Sequence, residues 1–314
     1  MKNIALIGFG KIGKKFFNLS LKKKDILINK ILKRKISNIK ILNVKFFRNF
    51  KSLAKNSNID GYIVATPVSS HYEYARKIIN KKKPFIIEKP LVANLQELKK
   101  LYILSKNYKH SIFVNHSDLY NPAFLIFLKN LKSVGKYKKI NISFGKFQKI
   151  NKFNINDKKN HFLPSFDWLP HALAIAIKLA GLPKKISIIK NNILIKKKYI
   201  FQKCNICLHC KKKIVNINFS NRYQTPKKRI FVKGSNATLV YDGYKKNVLI
   251  RKNSNKFFTK FFHSKIDPFE NLLKLFYFSL TKKYKKNDIH FAYKIMKILF
   301  KIENEMKNKL KFSK

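Results

Sequence analysis

The stretch Asn3-Ile4-Ala5-Leu6-Ile7-Gly8-Phe9-Gly10-Lys11-Ile12-Gly13 decides how the first half of the chain folds. Its apolar beginning predicts a buried strand, its glycines at the spacing G-x-G-x-x-G predict a tight turn, and residues 14–21 have a helical pattern. Gly8 permits the turn, Gly10 lets the backbone approach a pyrophosphate, and Gly13 lets the helix lie close to the strand. We therefore expect this turn to bind a dinucleotide, with its anion at the positive end of the helix.

The alternation of strand and helix continues beyond this turn. Predicted elements follow in the order strand 26–32, strand 44–47, helix 50–56, strand 61–65, helix 71–79, strand 85–88, helix 95–105 and strand 112–114. Such an order predicts an α/β Rossmann domain with a doubly wound parallel sheet and right-handed crossovers, which we place at residues 1–120.

Positive residues follow the second strand, where an NAD site carries an acid about 20 residues beyond the glycines. The chain has Lys33-Arg34-Lys35 there. These side chains cannot accept the ribose hydroxyls as a carboxylate does, but they would hold a 2′-phosphate. We therefore expect NADP to be favoured over NAD, with Lys33 and Arg34 as contacts.

Two later strands end in residues suited to chemistry. Thr66-Pro67 follows one of them, and the helix with His71 starts soon after. The run Phe85-Ile86-Ile87-Glu88-Lys89-Pro90 ends abruptly in an acid, a base and a proline. Because an open parallel sheet binds ligands at the carboxyl ends of its strands, Lys89 is a candidate for chemistry.

These motifs, in this order and at this spacing, resemble the Gfo/Idh/MocA oxidoreductases, a group typified by glucose-fructose oxidoreductase and inositol dehydrogenases. The resemblance covers the N-terminal domain closely and the rest of the chain more loosely. Besides residues 8–13, it implies cofactor contacts from Thr66, Pro67, His71, Glu88 and Lys89.

The resemblance also implies a second domain whose first helix carries a D-x-x-x-H pair, which here is Asp167-Trp168-Leu169-Pro170-His171. Positions four apart share a helix face, so both side chains could address one substrate hydroxyl. Carried over, Lys89 and His171 are the proton-handling pair, and Asp167 orients the substrate or tunes the base. Pro170 predicts that Asp167 lies at or just before the helix start.

One segment departs from the family pattern. Leu119 stands where the family often has the arginine of R-[FY]-x-P, a residue that commonly helps to bind substrate or cofactor. His116 and Asp118 could compensate for it, or could simply belong to a loop.

Beyond residue 120 the pattern changes, and we expect an α+β domain with an open, mainly antiparallel sheet over residues 121–314. Predicted strands are 140–147, 186–189, 193–201, 214–219, 230–233, 237–241 and 248–251. Hairpin turns are expected at 233–236 and 242–243, and amphipathic helices at 268–280 and 289–306.

Cys204-Asn205-Ile206-Cys207-Leu208-His209-Cys210 could supply zinc ligands. In a strand, however, Cys204 and Cys210 share one face while Cys207 takes the other, which splays the ligands apart. We therefore expect no metal, and free thiols in a reducing cytoplasm.

The formal charge of +57 would ordinarily indicate a polyanion partner. Lysines are spread along the whole chain, however, and arginine, which base and phosphate recognition favours, is scarce. We expect no specific nucleic-acid partner. No apolar run approaches the ~20 residues of a membrane span, and the N-terminus runs straight into a strand, so we expect a cytoplasmic protein without a membrane partner.

Together these features predict an NAD(P)-dependent oxidoreductase that transfers a hydride between nicotinamide and a hydroxyl or ketone of a sugar, cyclitol or sugar derivative, nucleotide sugars included. The resemblance implies the carbohydrate-like substrate, and a homodimer or homotetramer built through the second sheet. One alternative is a non-catalytic dinucleotide-binding regulator, which the retention of Lys89, Asp167 and His171 disfavours. A reductase of a non-sugar carbonyl or conjugated substrate is another, which Leu119 leaves open.

Overall fold

A computed structural model describes residues 1–34, 41–56, 58–151 and 163–311, except for the side chains of residues 260, 261, 310 and 311. The strands are β1 (Lys2–Ile7), β2 (Ile26–Leu32), β3 (Lys45–Phe47), β4 (Gly61–Val64), β5 (Phe85–Glu88), β6 (Ile112–Asn115), β7 (Lys139–Gly145), β8 (Ile150–Asn151), β9 (Pro183–Lys196), β10 (Tyr199–Cys210), β11 (Ile214–Ser220), β12 (Lys227–Lys233), β13 (Ala237–Asp242), β14 (Asn247–Lys252) and β15 (Thr259–His263). The helices are α1 (Lys11–Ser20), α2 (Phe50–Ala54), α3 (His71–Asn80), α4 (Leu95–Lys106), α5 (Pro122–Asn130), α6 (Ser165–Ala180), α7 (Pro268–Leu280) and α8 (Ile289–Lys311).

The chain divides into two compact units. The first unit comprises residues 1–115 and 269–293, and the second comprises 116–268 and 294–314. The sequence predicted a domain boundary at residue 120, with each domain formed by one continuous segment of the chain. The structure differs because a late segment of the chain supplies part of the first hydrophobic core.

The first unit contains a six-stranded parallel sheet in the order β3-β2-β1-β4-β5-β6. The order reverses between β1 and β4, and such a switch point is where open α/β sheets bind their ligands. Residues Ile4 to Ile7 are at most 1% exposed, and β4, β5 and β6 are buried along their whole length. Continuous burial is expected of parallel strands that are covered on both faces, and the predicted doubly wound sheet is confirmed.

The late segment completes this unit through α7 and the residues after it. The ring of Phe276 packs edge-on against that of Phe113, with the centroids 5.7 Å apart. The backbone N–H of Ile112 donates to the carbonyl of Lys286 at 2.8 Å, and that of Asp288 donates to the carbonyl of Ile112 at 2.9 Å. These bonds cover the edge of the sheet at β6, which would otherwise present unpaired backbone groups.

The second unit contains a sheet in the order β15-β14-β13-β12-β7-β11-β10-β8, with β9 also paired to β10. The pair β7 and β11 is parallel, and the other described pairs are antiparallel. Helix α6 packs against one face of this sheet at β7, β10 and β11. The predicted open, mainly antiparallel sheet is therefore confirmed.

One strand prediction in this unit is wrong. Residues 193–201 were expected to form a single strand, but β9 continues to Lys196 and β10 begins at Tyr199. Lys197, in the turn between them, has a φ of 52°. The two apolar ends of the hairpin resemble one run in the sequence, since lysine gives no distinct turn signal here.

Among the described residues, no helix is long and apolar enough to cross a bilayer.

Candidate active site

The glycine turn between β1 and α1 has the geometry that a dinucleotide requires. Gly8 has a φ of +96°, and a Cβ on it would lie 2.5 Å from the carbonyl oxygen of Ala65. A Cβ on Gly13 would lie 2.1 Å from the carbonyl oxygen of Gly8. A Cβ on Gly10, in contrast, would meet no described atom within 4 Å. Packing thus explains two of the glycines, and open space beside the third leaves room for a ligand.

The start of α1 is suited to an anion. Gly10 is the N-cap residue and makes no side-chain capping bond, and the first turn holds no acidic residue. The first N–H groups of a helix have no acceptor within it, and the helix dipole adds positive potential at that end. The chain therefore fits the pyrophosphate of a dinucleotide through backbone groups of the turn.

The side chain of Phe9 belongs to the core of this unit. It is 8% exposed, and its ring lies edge-on to Phe17 at 5.7 Å and to Phe46 at 5.9 Å. Lys11 is exposed and Ile12 is half-buried. A cofactor contact from Phe9 would therefore come from its backbone.

Lys33 and Arg34 directly follow β2. The N–H of Lys33 donates to the carbonyl of Phe47 at 2.9 Å, which joins this turn to the end of β3. The side chain of Arg34 is exposed and that of Lys33 is half-buried. Their contact with a 2′-phosphate stays a prediction, and Lys35 lies outside the described residues.

His71 joins two loops at the carboxyl edge of the sheet. Its ring is buried, with Nδ1 2.8 Å from the carbonyl oxygen of Pro90 and Nε2 2.8 Å from that of Thr66. Burial lowers the pKa of His71, although its bonds to backbone carbonyls oppose that shift. Ser70 Oγ donates to Thr66 Oγ1 at 2.9 Å. This pattern indicates that His71 holds the loop after Lys89 in place. Its predicted contact with a cofactor stays a prediction.

Lys89 follows the end of β5, as the sequence indicated. Glu88 before it is buried and accepts a hydrogen bond from Nδ2 of Asn115, its register partner on β6. Lys89 itself is half-buried, and the Lys89–Pro90 peptide bond is cis. The hydrogen bond at Glu88 thus fixes the end of β5 directly before the lysine.

Helix α6 of the second unit carries Asp167 and His171. Asp167 is exposed, whereas His171 is 9% exposed. The helix begins at Ser165, whose N–H donates to Oε1 of Gln202 at 2.8 Å, so Asp167 is its third residue. Pro170 therefore lies inside the helix and not in its first turn, which corrects the predicted helix start.

A different carboxylate lies beside His171. Oδ2 of Asp118 is 2.7 Å from Nδ1 of His171. Nζ of Lys228 lies 2.9 Å from Oδ1 and 3.1 Å from Oδ2 of the same carboxylate, which is 3% exposed. Burial alone would raise the pKa of Asp118, but the charges and hydrogen bonds of Lys228 and His171 outweigh burial and hold the pKa well below its usual range. Asp118 is therefore ionised at physiological pH.

An aromatic ring supports this cluster, which we call the Asp118 cluster (Asp118, His171 and Lys228). The ring of Phe144 stacks on the imidazole of His171, with centroids 6.3 Å apart and planes at 15°. Nζ of Lys228 lies 5.8 Å from the centroid of the same ring. The imidazole is thus held by the carboxylate at Nδ1 and by the ring across its plane.

Sequence reasoning did not find Lys228 and left Asp118 undecided. Lysine is so abundant that no single lysine stands out. Acids, in contrast, number 14 in 314 residues, and that scarcity could have drawn attention to Asp118.

The cysteines all lie on β10, beyond the predicted strand 193–201, and all are free thiols. Cys204 is buried, while Cys207 and Cys210 are half-buried. Sγ of Cys207 lies 3.4 Å from Nε2 of His209. Among the described residues, no group of three or more His, Cys, Asp or Glu side chains could hold a metal ion.

Comparison with known proteins agrees with the geometry of the first unit. Residues 2–116 match a family model described as an oxidoreductase family with an NAD-binding Rossmann fold. The uncharacterized oxidoreductase YgjR of Escherichia coli strain K12 is 25% identical over 147 residues, which are 45% of this chain and 45% of YgjR. The chain thus matches its curated relatives over less than half of their length.

Two solved structures share the fold over nearly the whole chain. UDP-N-acetylglucosamine 3-dehydrogenase GnnA of Acidithiobacillus ferrooxidans has a TM-score of 0.78 and 14% identity, with 96% of each chain covered. An NAD binding oxidoreductase of Klebsiella pneumoniae has a TM-score of 0.79 and 14% identity, with 98% of this chain and 97% of the other covered. At these identities the likeness establishes the fold alone.

Proposed function

We propose that this protein, whose residues 2–116 match the model of the Gfo/Idh/MocA oxidoreductases, is an NAD(P)-dependent dehydrogenase or reductase of a sugar, cyclitol or sugar derivative. The observation that carries the cofactor part is the glycine turn. Gly8 and Gly13 are required by packing, whereas the open space at Gly10 and the uncapped helix start suit a pyrophosphate.

The chemistry requires an acid–base group as well as the cofactor. A bound nicotinamide supplies the hydride acceptor or donor. Oxidation of a secondary alcohol to a ketone would also release the hydroxyl proton, so the chain needs a base placed to accept that proton. In this mechanism His171 accepts the proton, Lys89 polarises the substrate oxygen, and Asp167 orients the substrate.

Substitution of the two proposed groups tests the mechanism. Lys89→Ala and His171→Ala should each lower kcat by at least ~100-fold, because general acid–base catalysis contributes about 10²–10⁴-fold. Cofactor affinity, measured by fluorescence titration, should stay within about tenfold of the wild type. Lys81→Ala is the matched control, since Lys81 directly follows the C-terminal end of α3, and it should leave kcat unchanged. Full activity of either test variant would refute the assignment.

NADP is the cofactor we favour, because Lys33 and Arg34 follow β2 where a carboxylate would select NAD. NADPH should therefore bind more tightly than NADH, and Arg34→Ala should reduce the ratio of the two dissociation constants. Arg76→Ala, an exposed arginine on α3, should not change it. Equal or reversed affinities in the wild type would exclude this preference.

The substrate class rests on the family, within which a carbohydrate-like substrate is expected. A screen of sugars, cyclitols and nucleotide sugars for reduction of NADP or NAD is the direct test. Turnover only with non-sugar carbonyls would favour the alternative that Leu119 leaves open, and nicotinamide binding without any turnover would favour the regulator. We also retain the cytoplasm as the expected compartment, which agrees with three free thiols.

A homodimer or homotetramer is the assembly we propose. The second sheet has a cavity of about 450 Å³ on one face, and its lining includes Asn141, Lys227, Phe231, Val240 and Leu249. Phe231 there is 37% exposed, and Val240 and Leu249 in the same lining are half-buried. Light scattering should give the mass of two or four chains, and Phe231→Lys should reduce it. A monomer over the micromolar range would refute the proposal.

A further inference from the structure

We infer that Asp118 and Lys228 are positioning residues that set the protonation of His171. In this arrangement Asp118 directs the ring proton to Nδ1, and Lys228 limits how strongly the carboxylate favours the charged ring. The inference rests on the proposed function for its catalytic meaning, because His171 is the base proposed there. The arrangement itself can be tested without turnover.

The position of Asp118 determines which ring nitrogen carries the proton. Its Oδ2 lies 2.7 Å from Nδ1 of His171, and a carboxylate oxygen can only accept a hydrogen bond. An unprotonated Nδ1 would bring two lone pairs together, so the neutral ring carries its proton at Nδ1. Nε2 is then the nitrogen through which His171 takes a proton from a substrate hydroxyl. The same logic governs the histidine of serine hydrolases, which is oriented by a buried aspartate.

Burial distinguishes Asp118 from Asp167 for this role. Asp118 is 3% exposed, whereas Asp167 is exposed. Water screens a charge at an exposed position, while a buried ion interacts strongly with its neighbours. The carboxylate that controls the ring is therefore Asp118, although the sequence spacing pointed to Asp167.

Lys228 offsets the charge of Asp118. Its Nζ lies within 3.1 Å of both carboxylate oxygens. With Lys228 present, Asp118 and Lys228 together carry no net charge, and protonation of His171 makes the cluster positive. Without Lys228, the buried carboxylate of Asp118 would be balanced by protonated His171 instead. The imidazole ring would therefore keep its second proton to higher pH. An opposite charge within ~4–6 Å shifts a titration by ~1–3 pH units, so the effect is measurable.

Three further titratable groups near Asp118, which are Tyr241, Tyr244 and Asp242, stay neutral or are paired. Burial, and then the charges of Asp118 and Asp242, raise the pKa values of Tyr241 and Tyr244, so both remain protonated in the working range. Asp242 forms an ion pair with Arg229 at 2.8 Å. Among the described groups of the second unit, this leaves Lys228 as the cation that balances Asp118, with the exposed Asp167 on α6 screened by solvent.

The direct test is ¹⁵N NMR of protein labelled at histidine, with His171 assigned by the signals that His171→Gln removes. In the wild type the neutral ring should be the Nδ1–H tautomer. Asp118→Asn should lower the titration midpoint of His171 by at least ~1 pH unit, and Lys228→Gln should raise it by at least ~1 unit. Lys228→Arg keeps the positive charge and should leave the titration midpoint of His171 at its wild-type value. Lys227→Gln, the neighbouring lysine on β12, should leave it unchanged.

Opposite shifts in the two variants would not follow from a purely structural role. Shifts of the same sign, or none, would overturn the inference. An Nε2–H tautomer in the wild type would overturn it even if a variant failed to fold. If the NMR result holds but no nicotinamide binds, the proposed function fails and the arrangement stands. If turnover is found, the acid limb of kcat/KM for alcohol oxidation should move with each NMR midpoint.

Discussion

Replacing Gly10 by alanine should separate cofactor binding from folding. The backbone of Gly10 has φ −81° and ψ −165°, which alanine adopts without strain. Its Cβ would meet no described atom within 4 Å. Loss of a favoured N-cap residue costs about 0.5–1 kcal/mol, while the lower chain entropy of the unfolded state returns about 0.4–1 kcal/mol. The free energy of unfolding should therefore change by less than about 0.5 kcal/mol.

Cofactor affinity should fall much more. The added methyl group occupies the space through which a pyrophosphate approaches the turn, and even a displacement that costs ~1.4 kcal/mol raises Kd tenfold. We therefore expect Kd for NADPH to rise at least ~10-fold in Gly10→Ala. Gly13→Ala is the contrasting variant, because its Cβ would lie 2.1 Å from the carbonyl oxygen of Gly8. Such overpacking typically costs about 1–3 kcal/mol of stability.

Fluorescence titration with NADPH and urea unfolding, applied to both variants, provide the assay. The expected result is a stable Gly10→Ala protein that binds weakly and a destabilised Gly13→Ala protein. Wild-type affinity in Gly10→Ala would refute the placement of the pyrophosphate at this turn. A large loss of stability in the same variant would show that the space at Gly10 is not open.

Three further predictions concern the second unit. Burial raises the pKa of Cys204 to about 12, so a thiol reagent at pH 8 should label only Cys207 and Cys210 in the native protein. Mass spectrometry counts the labels on each chain, and three labels on the native protein would contradict this. Burial also raises the pKa of Glu303 above its usual 4.5, against the hydrogen bond from Leu163 and the charge of Lys307. A raised carboxyl pKa lowers the stability of the fold as pH rises from the ordinary to the shifted value, and the loss is complete above the shifted value. Glu303→Gln should therefore raise the melting temperature at pH 7.5 more than at pH 4.5, and the opposite order would show that Glu303 stabilises the fold as a carboxylate. Because the described residues hold no candidate metal cluster, EDTA should leave the melting temperature unchanged, and a decrease would revive Cys207 and His209 as metal ligands.

The first sheet could be predicted closely from the sequence. The observed bounds of β2 and β5 coincide with the predicted 26–32 and 85–88. Buried parallel strands are continuous apolar runs, and in a lysine-rich chain such runs stand out against their surroundings. The glycine turn could be predicted equally well, because its residue types follow from local backbone geometry.

Elements that depend on distant partners were harder to predict. The edge strand β15 was not expected, and it owes its pairing to β14. The contact between Asp118 and Lys228 joins residues 110 positions apart, and no local pattern marks either end. The D-x-x-x-H spacing located His171 correctly on a helix. Spacing along one helix could not reveal that a short 3₁₀ helix, Ser117–Tyr120, brings the buried carboxylate of Asp118 to Nδ1.

The return of residues 269–293 to the first unit has a consequence for how the protein is made. A Cβ on Gly61 of β4 would lie 2.9 Å from Phe276 Cζ and 2.9 Å from Leu280 Cδ2, so α7 packs directly on the parallel sheet. Chains leave the ribosome N-terminus first, and a domain folds once all its parts have emerged. The second sheet is therefore synthesised before the first hydrophobic core can close. Until residues 269–293 have emerged, the Rossmann domain lacks α7 and leaves exposed the apolar surface that α7 covers, and a chain truncated at residue 120 would stay in that state.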